Sequence, residues 1–135
     1  MPRNKDIVTY MEQEDYLETI YKLSQKNDHV RVSDLAKELK LSKPSVTQMM
    51  QRLDKDGQVD YKPYAPLQLT DKGKKIGKKI AERHAVLAEF FTVLGIPKHI
   101  QEKDIHGIEH YISPLTLTKL REVTALLKKY GKNLS

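Results

Sequence analysis

The fold is indicated most directly by the stretch Ser42-Lys43-Pro44-Ser45-Val46-Thr47-Gln48-Met49-Met50-Gln51-Arg52. Its apolar residues recur at helical spacing, and Pro44 falls in the first turn, where a helix tolerates a missing N–H group. Gly57 follows soon after, as expected just past a helix end. The stretch therefore predicts an amphipathic helix with one buried face and one face of small polar side chains.

The segments on either side of this helix predict a compact DNA-reading arrangement. We expect a loose arm over residues 1–10, a helix from Met11 to about Asn27, a short helix near Val32 with Ser33 as its N-cap, and a hairpin between Val59 and Leu69. Helix, short helix, turn, helix and hairpin follow one another in the order of a winged helix-turn-helix.

The exposed face of the central helix suits the major groove of DNA. Gln48 is able to read adenine with two hydrogen bonds, and Lys43 and Arg52 suit phosphates. The predicted DNA-binding residues are Ser42, Lys43, Pro44, Ser45, Thr47, Gln48 and Arg52. A net charge of +6 favours a polyanionic partner. An ordinary amphipathic helix with solvated polar residues is the alternative.

The second half of the chain predicts helices alone. A long helix should run from Asp71 to Leu94 after an N-cap at Thr70. We expect a helix at Lys98–Lys103, a separate helix carrying residues 106–110, and a last helix from Leu115 to Tyr130. The predicted fold class is therefore mainly α, with a winged helix-turn-helix over residues 1–72 and a helical domain over residues 73–135.

The pentapeptide His106-Gly107-Ile108-Glu109-His110 predicts a metal site. Residues at i, i+3 and i+4 are neighbours on a helix, so His106, Glu109 and His110 can converge on one ion. Imidazole nitrogen and carboxylate oxygen are ligands of zinc, iron and manganese. The chain has no cysteine, which excludes thiolate ligands and a zinc finger. An exposed polar helix face remains the alternative for this cluster.

Six short motifs, in order and at matching spacing, resemble the diphtheria-toxin-repressor family of metal-dependent transcriptional regulators, most closely its short manganese transport regulators. The likeness covers about residues 11–125. The motifs are Val32-Ser33-Asp34-Leu35-Ala36, Pro44-Ser45-Val46-Thr47, Leu53-Asp54-Lys55-Asp56-Gly57, Leu69-Thr70-Asp71-Lys72-Gly73, Arg83-His84 and Gly107-Ile108-Glu109-His110.

This resemblance implies a homodimer that represses metal-uptake genes by binding a palindromic operator in double-stranded DNA when a divalent metal is present. It implies that the helical domain carries both the dimer contacts and metal. The implied ligands are Asp15, Glu18, His84, Glu109 and His110, with His106 as a further ligand. Mn²⁺ and Fe²⁺ are the leading ions, Zn²⁺ is a third candidate, and each chain would hold one or two.

Three departures from the family pattern bear on these expectations. His106 stands where manganese regulators have Glu and iron regulators have Cys, and its nitrogen donor favours softer ions. Ala88 replaces a Glu that serves a second metal position in many relatives, so the number of ions stays open. The wing tip Tyr64-Ala65-Pro66 lacks the common Arg-Gly, so we expect weaker wing contacts to DNA.

Two other functions compete with this interpretation. His106-x-x-Glu109-His110 also matches the signature of a small class of zinc hydrolases, although few positions remain downstream for a third ligand. A winged-helix regulator that ignores metal is the other alternative. The sequence has no apolar run of membrane-spanning length, so we expect a cytoplasmic protein without a membrane partner.

Overall fold

The computed structural model describes the backbone of residues 4–131 and the side chains of residues 10–131. The chain divides into two compact units at the bond between Ala81 and Glu82. Among the described residues, the helices are α1 Asn4–Lys26, α2 Val32–Leu39, α3 Lys43–Lys55, α4 Asp71–Val93, α5 Lys98–Ile108 and α6 Pro114–Lys129. The two strands are β1 Val59–Asp60 and β2 Gln68–Leu69.

The N-terminal unit is a winged helix-turn-helix, as predicted. Strands β1 and β2 pair antiparallel, with Val59 opposite Leu69. The backbone N–H of Leu67 donates to the carbonyl of Val30 at 2.7 Å, which ties this hairpin, the wing, to the segment before α2. One apolar core fills the unit, built from Tyr16, Leu17, Ile20, Val30, Leu35, Ala36, Val46, Met50, Leu53, Val59 and Leu67.

Two glycines let the first turns of α4 lie against backbone. A Cβ atom on Gly77 would come within 2.5 Å of the Leu17 carbonyl oxygen, and one on Gly73 would collide with the carbonyl of Gln58. Thr70 caps α4, as predicted, because its hydroxyl oxygen accepts a hydrogen bond from the Gly73 N–H at 3.2 Å.

Two local predictions in the N-terminal unit are wrong. Helix α1 begins at Asn4, so the expected arm is helical from that residue onward, while residues 1–3 lie outside the described part. Extending an existing helix costs less than starting one, which lets α1 run beyond its apolar stripe. The N-cap of α2 is Arg31 and not Ser33, and the Asp34 carboxylate accepts from the Arg31 N–H at 2.9 Å.

The C-terminal unit contains the rest of α4 with α5 and α6. Residues 98–108 form the single helix α5 where two helices were expected, because no helix-breaking residue separates Lys103 from His106. Helix α6 starts at Pro114, and the Ser113 hydroxyl caps it by accepting from the Thr116 N–H at 3.2 Å. None of the described helices combines the length and the apolarity needed to cross a bilayer.

Candidate metal centre and nucleic-acid interface

Glu109 is the centre of the polar cluster in the C-terminal unit. It is the C-cap residue of α5 and only 1% exposed. His84 Nδ1, from α4, lies 2.9 Å from Glu109 Oε2. A carboxylate removed from water needs a cation or several donors close by, so this arrangement suits a charge partner.

Arg83 holds the same residue from the backbone side. Its Nη1 donates to the Glu109 carbonyl oxygen at 3.2 Å. Two consecutive residues of α4 therefore fix one residue of α5, the first through the main chain and the second through the side chain. The sequence gave no local signal for the Arg83 contact, because the two residues are 26 positions apart.

The two histidines near the end of α5 form a second pair of donors. His110 lies in the turn just after the helix and is buried, whereas His106 is exposed on the last helical turn. Their ring centroids are 6.0 Å apart, and a nitrogen of each lies within 4.8 Å of the other. Glu109 keeps helical backbone angles, so the i, i+4 spacing survives beyond the helix end.

These pairs meet at Glu109. His110 Nε2 lies 3.9 Å from Glu109 Oε1, too far for a hydrogen bond but near enough for a shared ion. The C-terminal unit thus brings together one imidazole–carboxylate pair and one imidazole–imidazole pair. Nitrogen and oxygen donors of this kind fit Mn²⁺, Fe²⁺ or Zn²⁺, so the side chains present suit a divalent metal.

The remaining predicted ligands, Asp15 and Glu18, lie on α1 in the N-terminal unit. Both fall on one face of that helix at i and i+3. Glu18 is buried and its Oε2 lies 2.9 Å from Lys22 Nζ, while Asp15 is half-buried. Next to Asp15, burial and the Glu12 carboxylate raise the pKa of the Tyr16 hydroxyl above its ordinary value, so this phenol stays neutral.

Helix α3 presents the predicted DNA-binding residues in the N-terminal unit. Its apolar residues Val46, Met50 and Leu53 are buried. Of the seven predicted residues, Thr47 is half-buried and the other six are exposed. The Ser42 hydroxyl accepts from the Ser45 N–H at 3.3 Å and so caps α3 as well as standing at its exposed start.

Fold and site together define a class: a winged-helix DNA-binding protein with a helical unit that carries imidazole and carboxylate donors. The family model for the iron dependent repressor N-terminal DNA binding domain matches residues 9–67. The model for the iron dependent repressor metal binding and dimerisation domain matches residues 70–130. The chain belongs to the iron dependent repressor family, which confirms the predicted resemblance, fold class and metal-dependent, DNA-binding regulator, and not a hydrolase.

Curated relatives fit this assignment. The chain is 42% identical over 118 residues to the HTH-type transcriptional regulator MntR of Listeria monocytogenes, covering 87% of this chain and 82% of that protein. It is 45% identical over 100 residues to MntR of Bacillus subtilis, covering 74% of this chain and 70% of that protein.

Solved structures share the fold. The manganese regulator SloR aligns with a TM-score of 0.71 at 23% identity, over 84% of this chain and 53% of that one. ScaR with bound Zn²⁺ aligns with a TM-score of 0.65 at 27% identity, over the same two fractions. The chain therefore spans about half the length of these solved regulators.

Proposed function

We propose that this chain is a cytoplasmic repressor of metal-uptake genes that binds a palindromic operator as a homodimer when Mn²⁺ or Fe²⁺ is present. Residues 1–72 read the DNA, and residues 73–135 hold the metal and the dimer contacts. The observation that carries this proposal is the buried Glu109 carboxylate, 2.9 Å from His84 and 3.9 Å from His110. The regulators named MntR among the relatives support manganese as one effector.

The proposed ligand set is Asp15, Glu18, His84, His106, Glu109 and His110. The last four already lie in one cluster of the C-terminal unit, and the first two add carboxylates from α1. A bound divalent ion would supply positive charge that offsets these carboxylates. Without it, Asp15, Glu18 and Glu109 would repel one another at a common site, and α1 would be held less firmly.

Holding α1 would also set the spacing of the two recognition helices in the dimer. A dimer fits two half-sites only when its recognition helices keep one separation, close to a DNA turn. The metal can favour this DNA-competent state only by binding it more tightly than the other state. By linkage, operator DNA must tighten metal binding by the same factor.

At the operator, the exposed residues of α3 and its cap would make the contacts. Gln48 would read a base edge, Ser45 and Thr47 would lie along the groove, and Lys43 and Arg52 would bind phosphates. Ser42 and Pro44 would bring the start of the helix close to the backbone. The support for these roles is exposure and residue chemistry.

The choice of metal depends on His106. Nitrogen at this position, next to a second imidazole at His110, leans toward Fe²⁺, Zn²⁺ or Co²⁺ at the expense of Mn²⁺. Manganese nevertheless stays a leading candidate because oxygen ligands predominate in the proposed set if Asp15 and Glu18 join it. Each chain would hold one ion or two.

A selection of bound duplexes from a randomised DNA library tests the proposal. It is run with chelator and separately with Mn²⁺, anaerobic Fe²⁺ and Zn²⁺. The expected result is a palindrome enriched only with metal, and lost when His84 and His110 are both changed to Ala. Equal enrichment with chelator would instead support a metal-independent regulator, and the ion effective at the lowest free concentration would be the effector.

A further inference from the structure

The tip of the wing is unusual for its exposure and its backbone. Tyr64 is 100% exposed, the largest exposure among the large apolar residues that the structure describes. Its φ is +64°, in the left-handed region that a non-glycine residue seldom adopts. An aromatic ring in water on a disfavoured backbone has no folding advantage at this position, and such positions are concentrated at functional surfaces.

The tip is nevertheless held in place. Arg31, just before α2, donates from Nη1 to the Tyr64 carbonyl oxygen at 3.3 Å. The Ala65 N–H donates to the Lys62 carbonyl at 3.1 Å and closes the turn. With the bond from Leu67 to Val30 at the base of the wing, the ring is attached to the start of α2 at two levels.

A cleft of about 410 Å³ lies between this tip and the start of α3. We name it the wing cleft. Its polar and aromatic lining is Arg31, Ser33, Lys43, Thr47, Tyr61 and Tyr64. Two cations and two aliphatic hydroxyls line it, and none of its described lining residues is acidic. The nearby Asp34 carboxylate is bonded to the Arg31 backbone N–H. The lining therefore suits an anion with hydrogen-bond acceptors.

We propose that the wing cleft seats a backbone phosphate of the operator and that the Tyr64 ring lies against the sugar edge of the adjacent minor groove. Arg31 and Lys43 supply charge to the phosphate, and Ser33 and Thr47 donate hydroxyl hydrogen bonds. The partner is double-stranded DNA because Lys43 and Thr47 belong both to the cleft and to the proposed recognition surface of α3. Apolar side chains at such a position contact the minor groove through shape, without reading bases.

This assignment goes beyond the proposed function, which places DNA contacts on α3 and its cap alone. It also revises the expectation that a wing without Arg-Gly binds DNA weakly. The phosphate contact here comes from the tether, Arg31, and the tip supplies a ring.

Glycine at position 64 provides the sharpest test. Tyr64→Gly removes the ring and fits the left-handed backbone, so the wing should fold at least as well as before. Tyr64→Phe keeps the ring and is the matched control. Binding is measured by fluorescence anisotropy with a palindrome recovered from the library selection, at saturating metal. We expect Tyr64→Gly to weaken binding about fivefold to tenfold, within the range of a single lost aromatic contact, and Tyr64→Phe to bind like the unmodified protein.

A hydroxyl-radical footprint distinguishes contact from an indirect effect, because it reports the accessibility of minor-groove sugars. Protection of the sugars flanking each half-site should be lost in Tyr64→Gly and retained in Tyr64→Phe. Unchanged affinity and an unchanged footprint in Tyr64→Gly would overturn the role of the ring.

The phosphate seat is tested by salt dependence. Arg31→Gln should reduce the slope of log affinity against log salt by about 1, as expected for one lost phosphate contact. Lys37→Gln removes an exposed charge from the same helix outside the wing cleft and should leave the slope unchanged. Equal slopes in the two variants would overturn the seat. These results are separate from the proposed metal gating, which fails only if the unmodified protein binds equally well with chelator.

Discussion

Eleven apolar side chains of the N-terminal unit form one buried cluster, whereas the described part of the C-terminal unit buries only Leu87, Val93 and Ile105. The exposed large apolar residues are distributed in the opposite way. The C-terminal unit leaves Ile100, Ile108, Tyr111, Leu115, Val123, Leu126 and Tyr130 exposed. The N-terminal unit leaves Tyr10, Leu41 and Tyr64 exposed.

The C-terminal unit also has an apolar cleft of about 880 Å³. Leu87, Phe91, Ile108, Tyr111, Ile112 and Leu120 are among its lining residues. A contiguous apolar surface of this kind is typical of an association face. The difference teaches that one unit has a core of its own, while the other completes its burial by dimerisation, as its family description states.

The largest effect is expected in the self-contained core. Leu53 is fully buried in the N-terminal unit, so Leu53→Ala should lower the free energy of unfolding by about 2–5 kcal/mol through lost burial and a residual cavity. Chemical denaturation followed by circular dichroism measures it. The matched control is Leu126→Ala, which truncates an exposed leucine of the C-terminal unit. Equal losses in both variants would contradict the contrast between the units.

Dimerisation should fail when a charge enters the C-terminal apolar cleft. Ile108 lines this cleft and is 39% exposed, so Ile108→Asp should raise the dimer dissociation constant at least about a hundredfold by burying an unpaired carboxylate. Sedimentation equilibrium measures it. Leu41→Asp, at 45% exposure in the N-terminal unit, is the control and should leave the dimer intact. A stable Ile108→Asp dimer would place the interface elsewhere.

Metal binding should depend on the most buried carboxylate of the C-terminal unit. Glu109→Gln keeps the side-chain volume and removes the charge, and should weaken metal binding about a hundredfold, since losing the support of a ligand alone costs about tenfold to a hundredfold. Competition with a metal-sensitive dye measures the affinity. Glu122→Gln is exposed on α6 and should behave like the unmodified protein. If both variants bind metal normally, Glu109 is a structural partner of His84.

The smallest effect concerns metal preference. His106→Glu replaces nitrogen by oxygen on the exposed end of α5, and should shift the ratio of Mn²⁺ to Zn²⁺ affinity about tenfold toward Mn²⁺. The absorption spectrum of the Co²⁺ form gives an independent signal of the ligand change. His99→Glu, on the first turn of the same helix, is the control. An unchanged ratio and spectrum would remove His106 from the ligand set.

The sequence predicted the N-terminal unit well because its signals are local. Pro44 at the start of α3, Gly57 past its end and Thr70 at the cap of α4 act within a few residues of where they stand. The predictions failed where neighbours compete for one role. Arg31 and Ser33 both precede the body of α2, and the reciprocal bond with Asp34 selects Arg31.

The candidate site was predictable only in part, for a related reason. The spacing of His106, Glu109 and His110 lies within one helical turn and is readable from the sequence. His84 and Arg83 reach Glu109 from 25 and 26 positions away, so only the family likeness pointed to His84 and nothing pointed to the backbone bond of Arg83. Burial of Glu109 and His110 likewise depends on packing that no local pattern encodes.

Gly73 and Gly77, one turn apart on α4, meet the carbonyls of Gln58 and Leu17 with no room for a methyl group. In a library that samples all twenty amino acids at every position, these two sites should therefore admit almost no replacements, even alanine. Exposed lysines between them, such as Lys74 and Lys75, should accept nearly any residue. A mutational scan without any structural input would reveal the line along which two pieces of main chain touch.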